Sequence, residues 1–319
     1  MIQMLSDAFS VSGREDAVRN IILSELNNDL FDVSCDNIGN IIAKCENTEG
    51  KPSVLLVAHM DECGLMVTDI TDDGYLKFDV IGKIDMSALI SKRVKSSDTN
   101  GVISIKAVHL SDKDEKEKQI SHKDLYIDIG AKSKIDAEKL ISKGDYFTFS
   151  NKFKPLGDDK IAGKALSRSV SCSVLLDYIN NYKGNKNIIC LFTVLKEVKG
   201  RGLKTALNSL ENIKCACVID SVDTKDTDIL IDNGPIAGMM LDMSCASEEI
   251  TKKLINVSDI IQYEYIKDDN QYGEIYADIP AVFLGFPCEN KGTNINVVSL
   301  KDVDCLSGLL KTFTEEVAL

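Results

Sequence analysis

The chain has 319 residues, 44% hydrophobic and 27% charged, a composition that packs a globular core and a length at which a second structural unit is expected. Its formal charge of −13, with the acids scattered rather than massed in a tail, argues against a nucleic-acid partner, which would want a basic face. No apolar run approaches the roughly 20 residues that cross a bilayer, and the opening MIQMLSDAFSVSGRED turns polar before a signal-type stretch can form, so no membrane partner and a cytoplasmic location are expected.

In chain order, Ser12 and Glu15 fit a capping box, and Val18, Ile21, Ile22 and Leu26 follow at helical spacing. Residues 38–44 (NIGNIIA) and 53–58 (SVLLVA) read as strands, the second apolar enough to be buried on both faces. After residue 66 the texture shifts to short β-rich pieces broken by Asp73-Gly74, Asn100-Gly101 and the charge run 112–118, the pattern of a small barrel or sandwich with a solvated loop. From about residue 163 helices and strands alternate. A helix carries Val170, Val174, Leu175, Tyr178 and Ile179 on one face, strands are predicted at 188–194, 216–220 and 280–285, and a last helix follows Ser299. The sum is an α/β fold, a sheet covered by helices on both faces, interrupted by an inserted small β-barrel. The division drawn is residues 1–66 with 163–319 for the α/β unit and 67–162 for the insert. Of the ten cysteines, Cys172, Cys190, Cys215 and Cys217 lie inside apolar runs and read as buried free thiols; Cys215-x-Cys217 on a strand is not a zinc site by itself.

Three strand ends carry candidate chemistry. His59-Met60-Asp61-Glu62-Cys63-Gly64 follows the buried strand 53–58 directly, at the edge where open α/β sheets bind ligands, and the chain has only three histidines. Glu197 ends the strand through Phe192-Thr193-Val194, and Asp220 ends Ala216-Cys217-Val218-Ile219. Taken singly either acid reads equally well as a solvated loop residue. Together at one sheet edge they make a negative pocket of the kind that holds a cation.

With these motifs the chain resembles, nearly end to end, the glutamyl and deblocking (tetrahedral) aminopeptidases, dinuclear metallopeptidases of family forty-two, some of whose members carry an endoglucanase label. The likeness rests on Val11-Ser12-Gly13-Arg14-Glu15, the His-Met-Asp-Glu-x-Gly box, and Asp124-Leu125-Tyr126-Ile127-Asp128-Ile129-Gly130. It continues through Gly163-Lys164-Ala165-Leu166, Thr193-Val194, Gly200 to Ala206, Asn233-Gly234-Pro235 and Val297-Val298-Ser299-Leu300. The resemblance implies a zinc-peptidase-like fold and removal of N-terminal residues from peptides by two divalent ions, zinc or cobalt, held by two His, two Asp and one Glu. It implies that His59, Glu197 and Asp220 are retained metal-ligand positions and that Asp61 orients His59. It also implies that the insert assembles subunits into a homo-oligomer, from dimer to dodecamer, with His109 matching a loop His of that unit and His122 an exposed loop residue.

The departures fall on the chemistry. Ser167-Arg168-Ser169 stands where the family has Asp-Asp-Arg, so the bridging carboxylate is lost, at Ser167. Lys196 occupies the position of the general-base Glu, Gly292 that of the second His ligand, and Asn270-Gln271-Tyr272-Gly273 replaces a pocket-building segment. One ion would keep Glu197 alone and the other His59 with Asp220, short of the three protein ligands of a catalytic zinc site. Weak, single or no metal binding and impaired activity are therefore expected, with Arg168 and Lys196 as internal counterions to Asp220 and Glu197. An aminopeptidase with an altered or single-metal site is the alternative. A glycosidase using Asp61 and Glu62 is disfavoured, because adjacent residues cannot flank a sugar and the chain has no Trp.

Overall fold

The computed structural model describes residues 1–105, 122–225, 227–241, 244–257, 262–266, 272–273, 275 and 279–318. Its centre is the strand β3 (Ser53–His59), whose six residues after Ser53 are all buried. Beside it run β12 (Ile188–Thr193) and β13 (Ile213–Asp223), both parallel to it, with Thr193 opposite His59 and Val218 opposite Val57. Outward from β12 lie β2 (Ile41–Cys45) and β1 (Asp32–Cys35), each antiparallel to its neighbour. On the other side come β17 (Ala281–Cys288), parallel to β13, then β14 (Ile236–Leu241), which pairs with β15 (Ser244–Cys245) and β16 (Gln262–Ile266), closing a nine-stranded sheet.

Side chains alternate across these strands, and the core divides accordingly. Val54, Leu56 and Ala58 of β3 pack with the helices α1 (Ile2–Asp7), α2 (Asp16–Glu25), α4 (Leu166–Asn181) and α7 (Leu300–Thr312). Leu55 and Val57 point to the opposite cluster, where Leu203 and Ala206 of α5 (Arg201–Leu207) cover the sheet. Cys215 and Cys217, two residues apart on β13, share the first face; with Cys172 and Cys190 they are buried free thiols, their pKa values raised by burial. The helix α6 (Glu248–Asn256) opens with Ser247 as its cap, the hydroxyl accepting from Ile250 N.

Six strands make a closed barrel: β4 (Gly64–Ile70), β5 (Leu76–Ile81), β8 (Leu125–Asp128), β7 (Asn100–Ile105), β6 (Arg93–Lys95) and β9 (Tyr146–Phe149) in spatial order. It has a core of its own, built from Leu65, Val67, Leu76, Phe78, Ile103, Leu125, Ile127 and Phe147 among others. The Asp124–Gly130 string is explained by this alternation. Leu125 and Ile127 are buried while Tyr126 faces outward against Tyr75, ring centroids 4.4 Å apart. The short helix α3 (Lys134–Glu138) lies between β8 and β9. A three-stranded sheet of β10 (Lys154–Leu156), β11 (Lys160–Gly163) and β18 (Asn296–Ser299) follows. The charge run 112–118, His109 and residues 270–271 lie outside the described residues.

The opening capping box is not formed. Helix α2 starts at Asp16 with Glu15 as its N-cap residue, and the Glu15 carboxylate instead accepts from Gly13 N at 2.8 Å and Leu195 N at 3.1 Å. That carboxylate ties the chain start to the turn after β12, a contact across the sequence that no local pattern discloses.

Candidate functional site

Because β12, β3 and β13 are parallel neighbours, their carboxyl ends deliver side chains to one edge, the location a parallel sheet reserves for ligands. His59 ends β3, Asp220 lies near the end of β13, and Lys196 and Glu197 stand in the turn after β12. That turn is held from three sides: Asn40 Oδ1 accepts from Val194 N at 2.9 Å, Glu15 from Leu195 N, and Asp61 Oδ2 from Glu197 N at 2.8 Å. Leu195 adopts φ of 56°, a left-handed conformation that costs a non-glycine residue energy and persists here because these bonds over-determine it.

His59 and Asp61 are buried. The ring Nδ1 lies 3.0 Å from the Asp61 main-chain oxygen and 3.5 Å from its Oδ1. Nε2 faces the cavity, 3.4 Å from Ser167 Oγ and 3.5 Å from Asp220 Oδ1. Burial, and after it the Lys196 charge, disfavour the charged ring, but the Asp220 and Asp61 carboxylates together outweigh them and the His59 pKa is raised. Asp220 accepts four donors: the Ser167 hydroxyl, Ser221 N at 2.7 Å, Tyr272 OH at 2.9 Å and the Lys196 ammonium at 3.3 Å. Burial alone would lift its pKa; Lys196, Lys291 and His59 together hold it well below the usual carboxylate range. Lys196 also reaches Glu197 Oε1 at 3.2 Å, so one ammonium group stands between two carboxylates.

Arg168 is almost fully buried, and the sequence expectation gave it Asp220 and Glu197 as partners. The structure gives it others: NH2 lies 3.5 Å from Glu62 Oε1, and the guanidinium donates to Leu5 O and Ala8 O. Consecutive helical residues point about 100° apart, so Ser167 faces the cavity carboxylate while Arg168 turns to the N-terminal segment. Lys164 joins that second cluster, donating to both Glu62 oxygens at 2.6 and 2.8 Å.

Gly292 lies in the turn after β17, at φ of 78°, with its carbonyl accepting from Asp85 N at 3.0 Å. A side chain at this position would be strained, so the turn has settled into a glycine conformation. His122 forms a short turn on the barrel with Nε2 3.2 Å from Asp79 Oδ1. The cavity is about 1260 Å³ and is bounded from both units, by Cys63, Lys83, Asp85 and Phe149 from the barrel side and Thr224, Lys225, Lys291 and Thr293 from the sheet side.

The family model of M42 glutamyl aminopeptidases matches residues 39–309. The chain belongs to that family. It is similar to a protein of Acetivibrio thermocellus named "Putative aminopeptidase", 36% identical over 228 residues that span 71% of this chain and 67% of the relative. Among solved structures, an aminopeptidase from the archaeon Desulfurococcus kamchatkensis superposes with a TM-score of 0.90 at 26% identity, covering 99% of this chain and 93% of that one. The Pyrococcus horikoshii TET1 peptidase, described as assembling into a tetrahedron or a large octahedral shell, superposes at 0.87 with 27% identity, covering 98% and 97%.

Three groups at this M42 site were given no role from sequence. Tyr272 and Lys291 both serve Asp220, the first through its hydroxyl and the second from Ser221 O, to which it donates at 2.7 Å. Cys63 donates its thiol to Glu197 Oε2 at 3.2 Å, and burial followed by the Glu197 charge raises its pKa far above the ordinary thiol value. Cys63 belongs to the His box and was within reach of a motif argument; Tyr272 and Lys291 lie on connections whose path only the fold reveals.

Proposed function

We propose that this M42 member keeps the family's peptide-sized cavity but does not support the two-ion removal of N-terminal residues at a competent rate. The observation that carries this reading is the Lys196 ammonium, 3.2 Å from Glu197 and 3.3 Å from Asp220, a fixed positive charge in the gap between carboxylates that the family assigns to different ions. At about 4 Å and an effective dielectric near 20, two unit charges interact by about 4 kcal/mol. Repulsion of a dication by Lys196 therefore cancels the attraction of one carboxylate at similar range. The donor set points the same way. Among the described residues no three His, Cys, Asp or Glu side chains converge on one point, the bridging position is the hydroxyl of Ser167, and a charged Lys196 accepts no proton from water. The residues present do not fit a pair of zinc or cobalt ions.

A second reading, a single-metal aminopeptidase, is favoured by the convergence of His59 Nε2 and Asp220 Oδ1, 3.5 Å apart. The two separate in an aminoacyl-4-nitroanilide assay with excess zinc or cobalt. The first expects no turnover above that of His59→Ala, and metal-dependent turnover abolished by that substitution would establish the second. The proposal places peptides or their N-termini in the cavity and the protein in the cytoplasm. It divides the chain into 1–66 with 163–319 and a barrel unit 67–162, and assigns that unit the contacts of a homo-oligomer, on the likeness to the TET1 peptidase.

A further inference from the structure

The turn that carries Lys196 and Glu197 contains three left-handed residues, Leu195 at φ of 56°, Lys199 at 57° and Gly200 at 62°. Only the glycine takes that conformation without a steric penalty. The turn closes on itself, Arg201 N donating to Leu195 O at 3.2 Å and Gly200 N to Lys196 O at 3.0 Å. Of the three side chains that hold it from outside, Asn40 takes the N–H of Val194, before the strained residue, and Asp61 takes that of Glu197, after Lys196. Glu15 takes the N–H of Leu195 itself, at 3.1 Å. We propose that Glu15 is the positioning residue of this site, holding Leu195 left-handed so that Lys196 is delivered between Glu197 and Asp220.

Glu15 is itself fixed before it reaches the turn. Its main-chain oxygen accepts from Arg19 N at 2.9 Å as α2 begins, and α2 is anchored by Val18 and Ile22, both buried in the core on the first face of the sheet. The Oε1 that accepts from Leu195 N also accepts from Gly13 N at 2.8 Å. Gly13, at φ of 91°, lies so close that an added Cβ would stand 3.9 Å from Leu195 Cδ2. Without the Glu15 acceptor, the left-handed backbone at Leu195 loses the bond that offsets its cost. A change of φ there redirects the chain at the next residue, which is Lys196. Glu197 is retained, because Asp61 Oδ2 holds its N–H at 2.8 Å. The ammonium therefore leaves its place 3.2 Å from Glu197 and 3.3 Å from Asp220 while the two carboxylates stay.

The test is acetylation of the full chain by the N-hydroxysuccinimide ester of acetic acid, with the rate at each lysine read by mass spectrometry of peptides. Glu15 gains its role through the proposed part of Lys196 as the cation that opposes metal; acetylation reports where that side chain lies and not whether an ion binds, so the two fail separately. Lys196 and Lys164 are both buried, 5% and 1% exposed, in different clusters, so Lys164 reports general loosening. Glu15→Ala is expected to speed acetylation of Lys196 at least about tenfold and to leave Lys164 within about twofold of the unaltered chain. Glu15→Gln keeps an accepting oxygen and is expected to hold Lys196 within about twofold as well. The proposal is overturned by Lys196 unchanged in Glu15→Ala, by Lys164 accelerating as much as Lys196, or by Glu15→Gln behaving as Glu15→Ala does. If Glu15→Ala fails to fold, amide hydrogen exchange in the unaltered chain decides: Leu195 N should be protected at least as well as Val194 N and Glu197 N, and faster exchange at Leu195 overturns the proposal.

Discussion

Glu62 stands next to Asp61 in the His box, yet its carboxylate is engaged by a different set of donors. Lys164 binds both oxygens, Ser10 N donates at 3.0 Å, and Arg168 lies 3.5 Å away. Removing the charge of Glu62 leaves two buried cations without their acid, so Glu62→Gln is expected to cost about 3–5 kcal/mol in urea unfolding. Burial raises its pKa, but Lys164 and then Arg168 pull it below its ordinary value of 4.5. A depressed folded pKa contributes stability that is complete above the unfolded value and lost as pH falls through the folded one. The Glu62 contribution to the melting temperature should therefore be complete above roughly pH 5 and fall away below it, and Glu62→Gln should flatten that acid limb; an unchanged acid limb would remove Glu62 from the account. At the other cluster, Lys196→Met strips the ammonium from between Glu197 and Asp220. Zinc affinity is expected to rise at least about tenfold, which is 1.4 kcal/mol, and an affinity equal to the unaltered chain would mean that Lys196 does not oppose metal. The pairing of Lys196 with Glu197 and Asp220 was legible through the resemblance, which sets Lys196 at the position of the general-base Glu beside the ligand position Glu197. The partner of Arg168 was not, because helical geometry swings residue 168 away from the face that residue 167 presents.

The turn between β12 and α5 sets the site, and a glycine permits it. A Cβ on Gly202 would overlap the carbonyl oxygen of Val194 and come within 2.8 Å of Asn40 Oδ1. Gly202→Ala should destabilise by about 1–3 kcal/mol, as overpacking against backbone does, and should displace Lys196 and Glu197 with the turn. Equilibrium unfolding measures the first effect; a variant as stable as the parent would show that α5 shifts freely. The parallel strands were readable from their continuous apolar runs, and from them the convergence of His59, Glu197 and Asp220 at one edge. The barrel was readable as β-rich pieces between turn signals. Its strand order was not, since β4-β5-β8-β7-β6-β9 departs from chain order and no local motif encodes which strand meets which. Ser12 and Glu15 show the converse error: the spacing matched a capping box, but Glu15 satisfies a backbone N–H 180 residues away instead.

The molecule as a whole joins a helix-covered sheet to a closed barrel, entered through the four residues from Met60 to Cys63 and left through residues 150–153, and the cavity is framed by both units. The charge pairs at its base are internal to the chain, and stability should not depend on bound ions. A ligand held by the folded state alone adds stability in proportion to the logarithm of its concentration over its dissociation constant. Excess chelator is therefore expected to leave the melting temperature unchanged, and a fall of several degrees would reveal a structural metal. No described helix is long and apolar enough to cross a membrane, and light scattering at micromolar concentration should show an assembly larger than one chain. The most direct test of the central claim is a calorimetric titration of metal-stripped protein with zinc. With Lys196 between Glu197 and Asp220, and a hydroxyl at residue 167, the titration should show no two-ion binding step tighter than about 10 μM, or −7 kcal/mol. Two ions taken up per chain with submicromolar affinity would contradict it.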